Sequence, residues 1–153
     1  MARVYLLDTS FMKLVHTVDQ AVGTGCPNRR DDVLLVQFFL KVVSDGPERS
    51  LLTPGGFPPL HIDGLWGPIS QAYLDQYIQV KSAENPASQL SEDGRVDPVV
   101  SGRVSGSMTG LIYTILALNK TYQNVRGPTA LQNITTDPLF PPELRPSLQI
   151  ING

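Results

Sequence analysis

The stretch IDGLWGPISQAY, residues 62–73, predicts a tight turn that opens a helix. Gly64 can adopt the positive φ that a sharp turn requires, and Gly67 would let two backbone segments approach closely. Pro68 suits the first helical position, because its missing N–H costs nothing there and its φ is already helical. Asp63 precedes the turn, where its carboxylate can accept unpaired N–H groups at the positive end of the helix.

Trp66 is the only tryptophan of the chain, and it lies between the two glycines of this turn. Two roles fit that position. The indole can anchor the turn to the hydrophobic core, which we favour, or its exposed face can form a platform for a ligand. For Asp63 the position before the helix already favours capping over ligand contact.

A second helix is predicted upstream, with Asn28 as its N-cap, Asp31 in its first turn and its end near Val43. Its residues 32–43 are apolar on almost every side, which is typical of the central helix of a domain. Gln37 interrupts this apolar surface. We expect it to find a buried partner, because an unpaired buried amide costs about 1–3 kcal/mol.

The remaining chain is assigned from apolar spacing and from turn residues. Strands are predicted over residues 3–8 and 11–22, helices over 68–80 and 108–123, and long loops over 44–61 and 82–107. Asn119 lies near the apolar face of the last helix and is expected to be a buried polar contact. The five prolines and single apolar residues of 124–153 predict an extended arm on its own domain or on a neighbour.

These elements predict a mainly α protein in three parts. They are an N-terminal β-hairpin at 1–27, a small three-helix bundle at 28–123 and an extended, proline-containing C-terminal arm at 124–153.

Composition excludes several classes of function. The 153 residues carry a formal charge of -2 with scattered Lys and Arg, which argues against nucleic acid as a partner. No apolar run is long enough for a membrane span or a secretory signal, so we expect synthesis in the cytoplasm without a signal peptide. The chain has one cysteine and two histidines, and their spacing does not indicate the three or more protein ligands that a zinc site needs. The sequence also contains no nucleophile motif and no phosphate-binding motif. We therefore expect neither an enzyme nor a cofactor.

Two motifs in this order resemble the peptidoglycan-binding-like domain family over about residues 20–123. The first motif, Asp-Val-x-x-Val-Gln-x-x-Leu, is matched by Asp32, Val33, Val36, Gln37 and Leu40. The second motif, Asp-Gly-x-aromatic-Gly-x-x-Thr, is matched by Asp63, Gly64, Trp66, Gly67 and Ser70. Ser70 replaces the threonine of the motif, Tyr73 a usual small residue and Ile78 a usual Gln. The loop before the Asp-Gly turn is longer than typical.

The resemblance implies a three-helix peptidoglycan-binding-like bundle that binds wall glycan or stem peptide without catalysis. Its shallow groove near the Asp-Gly turn would involve Trp66, Asp63, His61 and Gln71. An aromatic face would stack on sugar C–H surfaces while carboxylate and amide groups bind hydroxyls.

The alternative is a structural or adaptor subunit of a phage-tail-like or injection assembly that uses the same bundle as a scaffold. In this hypothesis the N-terminal strands and the C-terminal arm contact neighbouring subunits, because edge strands can extend a neighbouring sheet. A chain without a signal peptide would then act as part of a phage or secreted particle.

Overall fold

The computed structural model describes residues 3–6, 14–84, 94–98, 114–147 and 150–151. Within these ranges the chain is mainly helical, as predicted. The α-helices are α1 (Arg30–Ser44), α2 (Arg49–Leu52), α3 (Pro68–Glu84) and α4 (Thr114–Arg126), and the strands are β1 (Arg3–Leu6), β2 (Leu14–Thr17), β3 (Val22–Gly23), β4 (Arg95–Val96) and β5 (Ile150–Ile151). In the described part of the chain, every helix is too short or too polar to cross a membrane.

The N-terminal strands form the predicted antiparallel pair, with Arg3 opposite Thr17 and Leu6 opposite Leu14. The strand β5 adds to the other side of β1 in a parallel orientation, so that the sheet order is β2-β1-β5. A separate antiparallel pair joins β3 to β4. Both ends of the described chain therefore contribute to one small sheet.

Of the predicted strand over 11–22, residues 14–17 form β2 and Val22 belongs to β3, but residues 18–21 lie in neither strand, and residues 11–13 lie outside the described ranges. The N–H groups of Asp19 and Gln20 turn toward α1 and donate to the two carboxylate oxygens of Asp32, at 2.9 and 3.1 Å. Asp32 is fully buried, and its burial raises the pKa of its carboxyl group. The two backbone N–H groups that Asp32 accepts are thus unavailable to a strand ladder.

Helix α1 is the centre of the core, as its apolar composition predicts. Every residue from Asp32 to Leu40 is buried, and the helix contacts α2, α3 and α4. Phe38 packs against Phe39, Tyr122 and Phe140 with ring centroids 5.4–5.7 Å apart. This aromatic cluster joins α1 to α4 and to the C-terminal segment.

Asn28 is not the N-cap of α1, which is a correction of the sequence prediction. The helix begins two residues later at Arg30, and its N-cap Arg29 makes no side-chain capping bond in the described structure. Asn28 has a positive φ of 48°, and its side chain forms two 2.8 Å hydrogen bonds with the backbone of Gly23. Its amide therefore closes the loop before the helix.

The other boundaries differ more modestly. The second predicted helix continues from Val80 to Glu84, and the predicted loop 44–61 contains α2. The third predicted helix is present as α4 from residue 114 and extends to Arg126. Its predicted beginning, 108–113, lies outside the described residues.

The C-terminal segment is not an extended arm. It forms 3₁₀ turns at Ile134–Thr136 and Pro142–Ser147. Its single apolar residues belong to the main hydrophobic core: Leu131, Ile134, Phe140 and Leu144 are all at most 5% exposed. Proline favours short turns here, and these turns direct one apolar side chain at a time into the core.

A buried polar cluster fastens this segment to β2. Asn119 is fully buried, as predicted, and bonds both the N–H and the C=O of His16, at 2.9 and 2.8 Å. The His16 Nε2–H donates to the carbonyl of Leu131 at 2.8 Å, while Nδ1 is buried without a partner in the described structure. Burial lowers the pKa of His16 to about 4, so the ring is neutral at pH 7.

We expect His16 to make the protein acid-sensitive. Between pH 6.5 and 4 the unfolded chain binds a proton at this histidine that the folded chain does not, so stability falls as the pH falls. The loss is about 3 kcal/mol over this range. In His16→Gln, whose Nε2–H can still donate to Leu131, this component of the pH dependence is expected to disappear. Urea unfolding at several pH values measures it.

The raised pKa of Asp32 changes the pH dependence of stability in the opposite direction. This contribution is the same in the wild type and in His16→Gln, so it cancels when the two are compared. Equal pH dependence of wild type and His16→Gln would contradict the assignment to His16.

Candidate functional site

Gln37 fixes the turn at residues 63–65 to the central helix. Its Oε1 accepts the N–H groups of Asp63 and Gly64, at 3.1 and 2.9 Å. Its Nε2 lies 3.1 Å from Asp63 Oδ1, 2.9 Å from the Leu65 carbonyl and 3.0 Å from Ser70 Oγ. The buried partner expected for Gln37 is therefore confirmed, and it is the turn itself.

Gly64 has the positive φ expected of it, at 77°. A Cβ built at this position would lie 2.7 Å from Arg30 Nη1 and 2.9 Å from Arg30 Cγ, so the Arg30 side chain would have to move to admit it. Arg30 donates to the carbonyl of Asp63 at 2.9 Å and forms an ion pair with Glu143 at 2.7 Å. One guanidinium therefore connects the turn to the C-terminal segment.

Gly67 does not have the role predicted for it. Its φ is not positive, and a Cβ built there meets no atom of the described residues within 4 Å. No close approach of backbone requires this glycine in the described structure. Its Cα instead faces open space at the surface.

Asp63 closes the turn rather than capping the helix that follows. Its Oδ1 accepts the N–H of Leu65 at 3.0 Å in addition to the amide of Gln37. This side-chain bond to the residue two positions on is the local geometry that Asp adopts in turns. Helix α3 begins only at Pro68, and its first backbone bond runs from Gln71 N–H to the Gly67 carbonyl.

Gln71 is a positioning residue at the centre of several hydrogen bonds. Its Oε1 accepts the indole N–H of Trp66 at 2.8 Å and both the N–H and the hydroxyl of Thr24 at 2.9 Å. Its Nε2 donates to Asp75 Oδ1 at 2.9 Å and to the Gly94 carbonyl at 2.8 Å. The amide is thus engaged at both ends, and it orients Trp66 instead of facing a ligand.

Trp66 is half-buried, which fits the core-anchor role, and the ligand-platform role stays a prediction. It packs against the core and also lines two surface hollows. The larger hollow, of about 580 Å³, is lined by Thr24, Gly25, Asn28, Phe57, Trp66, Gly67, Pro68, Gln71, Ala72 and Asp75. The smaller, of about 200 Å³, is lined by Leu60, His61, Asp63, Leu65, Trp66, Gly67, Pro68, Ile69 and Ser70.

The four residues predicted for the site divide between these hollows. His61 and Asp63 line only the smaller hollow, Gln71 only the larger one, and Trp66 borders both. The structure therefore places all four around the same turn but does not bring them into one pocket.

Phe57 and Asp75 were missed by the sequence analysis. Phe57 is 44% exposed and lines the larger hollow with Trp66. It lies in a Gly-Gly-Phe-Pro-Pro loop, where a lone aromatic residue gives no periodic signal, although an aromatic ring beside glycines and prolines is itself a cue. Asp75 follows Gln71 by one turn of α3, so that helical spacing could have placed it beside Gln71.

The two hollows have similar linings. Both hollows combine apolar or aromatic side chains with a few polar groups, as ligand sites do. Among the described residues, the ionisable lining consists of Asp75 in the larger hollow and of His61 and Asp63 in the smaller one. Across the described residues, no cluster of three or more His, Cys, Asp or Glu side chains could hold a metal ion.

Comparison of the chain with protein-family models, curated proteins and solved structures finds no match.

Proposed function

We propose that this chain is a non-catalytic module that binds cell-wall glycan in the larger hollow beside Trp66. The observation that carries the proposal is that two aromatic side chains line one hollow, and that an amide holds one of them in place. Trp66 is held by its N–H bond to Gln71, and the exposed Phe57 lines the same hollow. Sugar rings present C–H surfaces that stack on such aromatic faces, and their hydroxyls bind polar groups at the rim.

The resemblance to the peptidoglycan-binding-like domain family supports this function and a three-helix bundle of that type. Its two motifs are separated by more than twenty residues in the sequence, yet Gln37 of the first bonds directly to Asp63, Gly64 and Ser70 of the second. The residues of the resemblance thus form one physical unit. Trp66 belongs to the second motif and packs against the core.

The adaptor-subunit hypothesis stays a prediction, and the two features that suggested it do not support it in the described residues. The apolar side chains of 131–144 are buried in the chain's own core. On the edge strand β2, Asn119 already bonds the N–H and C=O of His16. A neighbouring strand would have to displace that side chain.

We expect Phe57→Ala to weaken binding to purified sacculi by about threefold to tenfold, since loss of an aromatic contact costs about 0.5–1.5 kcal/mol. Phe57 is exposed, so its truncation should leave the fold intact. The measurement is a pull-down with sacculi over a range of protein concentrations, with thermal unfolding as a check on folding.

Leu51→Ala is the matched control. Leu51 is 54% exposed and lines neither hollow, so its truncation should not change binding. Wild-type protein that remains in the supernatant at every sacculus concentration would refute the proposed function. Equal loss in the two variants would refute the site.

A further inference from the structure

The larger hollow contains one carboxylate, that of Asp75, which forms no ion pair with a described residue. Asp75 lies on the exposed side of α3, and its Oδ1 accepts the Nε2–H of Gln71 at 2.9 Å. Its Oδ2 has no hydrogen-bond partner within the described ranges. The same Gln71 amide holds the indole of Trp66, so the carboxylate and the aromatic ring are fixed relative to one another.

The described lining of both hollows contains no Lys or Arg side chain. Asp75 is the ionisable group of the larger hollow, and Asp63 and His61 are those of the smaller one. A ligand that carries carboxylates would bring negative charge toward Asp75 without a cation in the described lining to offset it, and the nearby Arg95 is paired with Asp97. A neutral sugar meets no such repulsion, and a protonated amine is attracted.

We propose that the larger hollow prefers an amino sugar with a free amine, as in a de-N-acetylated glycan strand, with the ammonium group beside Asp75. This inference rests on the proposed glycan-binding function and names the chemical class of its ligand. An amino sugar stacked on Trp66 or Phe57 projects its ring substituents sideways, toward the polar rim that contains Asp75 and Gln71. An acetyl group would remove the charge that Asp75 attracts.

The test compares three soluble tetrasaccharides of similar size by isothermal titration calorimetry. They are a glucosamine tetramer, the N-acetylglucosamine tetramer and a galacturonate tetramer, measured below pH 6.5 so that the amines are protonated. The wild type is expected to bind the glucosamine tetramer about twofold to fivefold more tightly than the N-acetylated form, as for an exposed ion pair. The galacturonate tetramer should bind most weakly, and the preference should shrink as salt increases.

Asp75→Asn is the informative variant, because its amide oxygen can still accept the hydrogen bond from Gln71 while the charge is lost. The preference for the glucosamine tetramer over the N-acetylated tetramer is expected to vanish in this variant. Asp45→Asn removes an exposed carboxylate that lines neither hollow and instead pairs with Lys41. It should leave the preference intact.

Failure of this inference is distinct from failure of the proposed function. Equal binding of the two amino-sugar tetramers, tight binding of galacturonate, or the same loss in Asp45→Asn overturns the inference but leaves glycan binding in place. Absence of binding to all three tetramers, together with no binding to sacculi, overturns both.

Discussion

Replacing Gln37 with leucine is expected to lower the free energy of unfolding by about 3–4 kcal/mol, one of the two largest effects we predict. Leucine fills a similar volume in the core, so the loss would come from hydrogen bonds and not from a cavity. The N–H of Gly64 and the carbonyl of Leu65 would lose their partner at a site where Gln37 is only 1% exposed. Urea denaturation followed by far-UV circular dichroism measures the change.

Gln79→Leu is the control, because Gln79 is exposed on α3 and its replacement should change stability by less than about 0.5 kcal/mol. We also expect the Trp66 fluorescence of the Gln37→Leu protein to change, since the turn that carries the indole would lose its hydrogen bonds to Gln37. A variant within about 1 kcal/mol of wild type would contradict the role of Gln37 as the anchor of the turn.

The second large effect is expected at Phe140, where alanine should lower the free energy of unfolding by about 3–5 kcal/mol. Phe140 is 5% exposed, and its ring meets Phe38 edge-to-face with centroids 5.4 Å apart. Its truncation would leave a cavity between α1 and the C-terminal segment. Thermal unfolding measures the loss of stability, and limited proteolysis measures how firmly the segment after Gly127 is attached to the core.

Phe57→Ala provides a matched control with the same chemical change at an exposed position. Its stability should stay within about 0.5 kcal/mol of wild type, and its C-terminal segment should resist protease as in wild type. If Phe140→Ala were as stable as Phe57→Ala, the C-terminal segment would not be part of the core.

The central helix and the turn were predictable because their signals are local. An apolar run interrupted by one amide indicates a buried helix with a polar anchor, and Gly64 before Trp66 indicates a turn with positive φ. The structure confirms both features, and it shows that the Gln37 side chain of the helix bonds directly to the backbone of the turn at Gly64.

The errors arose where a distant residue supplies the partner. Nothing near Asp19 in the sequence shows that Asp32 accepts its N–H, and this bond ends the strand. The five prolines near the C-terminus correctly excluded a long helix, but they could not show that Phe140 and Leu144 find space beside Phe38.

The site was predictable only where its residues belong to a local sequence motif. Trp66 and Asp63 were identified from the motif, and both lie at a hollow, although Asp63 is largely engaged in the turn. The amide of Gln71 was expected to face a ligand and is instead occupied by Thr24 and Trp66. Phe57 reaches the hollow from a loop whose path depends on tertiary contacts, which the sequence pattern does not encode.

The parallel pairing of β1 with β5 has a consequence for how the protein is made. Because Val4 lies opposite Ile150, the sheet joins residues separated by almost the whole described chain. Residue 150 must therefore leave the ribosome before β1 can pair with β5. Contacts of such long sequence separation form slowly. During synthesis α1 would emerge before the C-terminal segment, so the part of its apolar surface that packs against that segment would stay exposed until the segment follows.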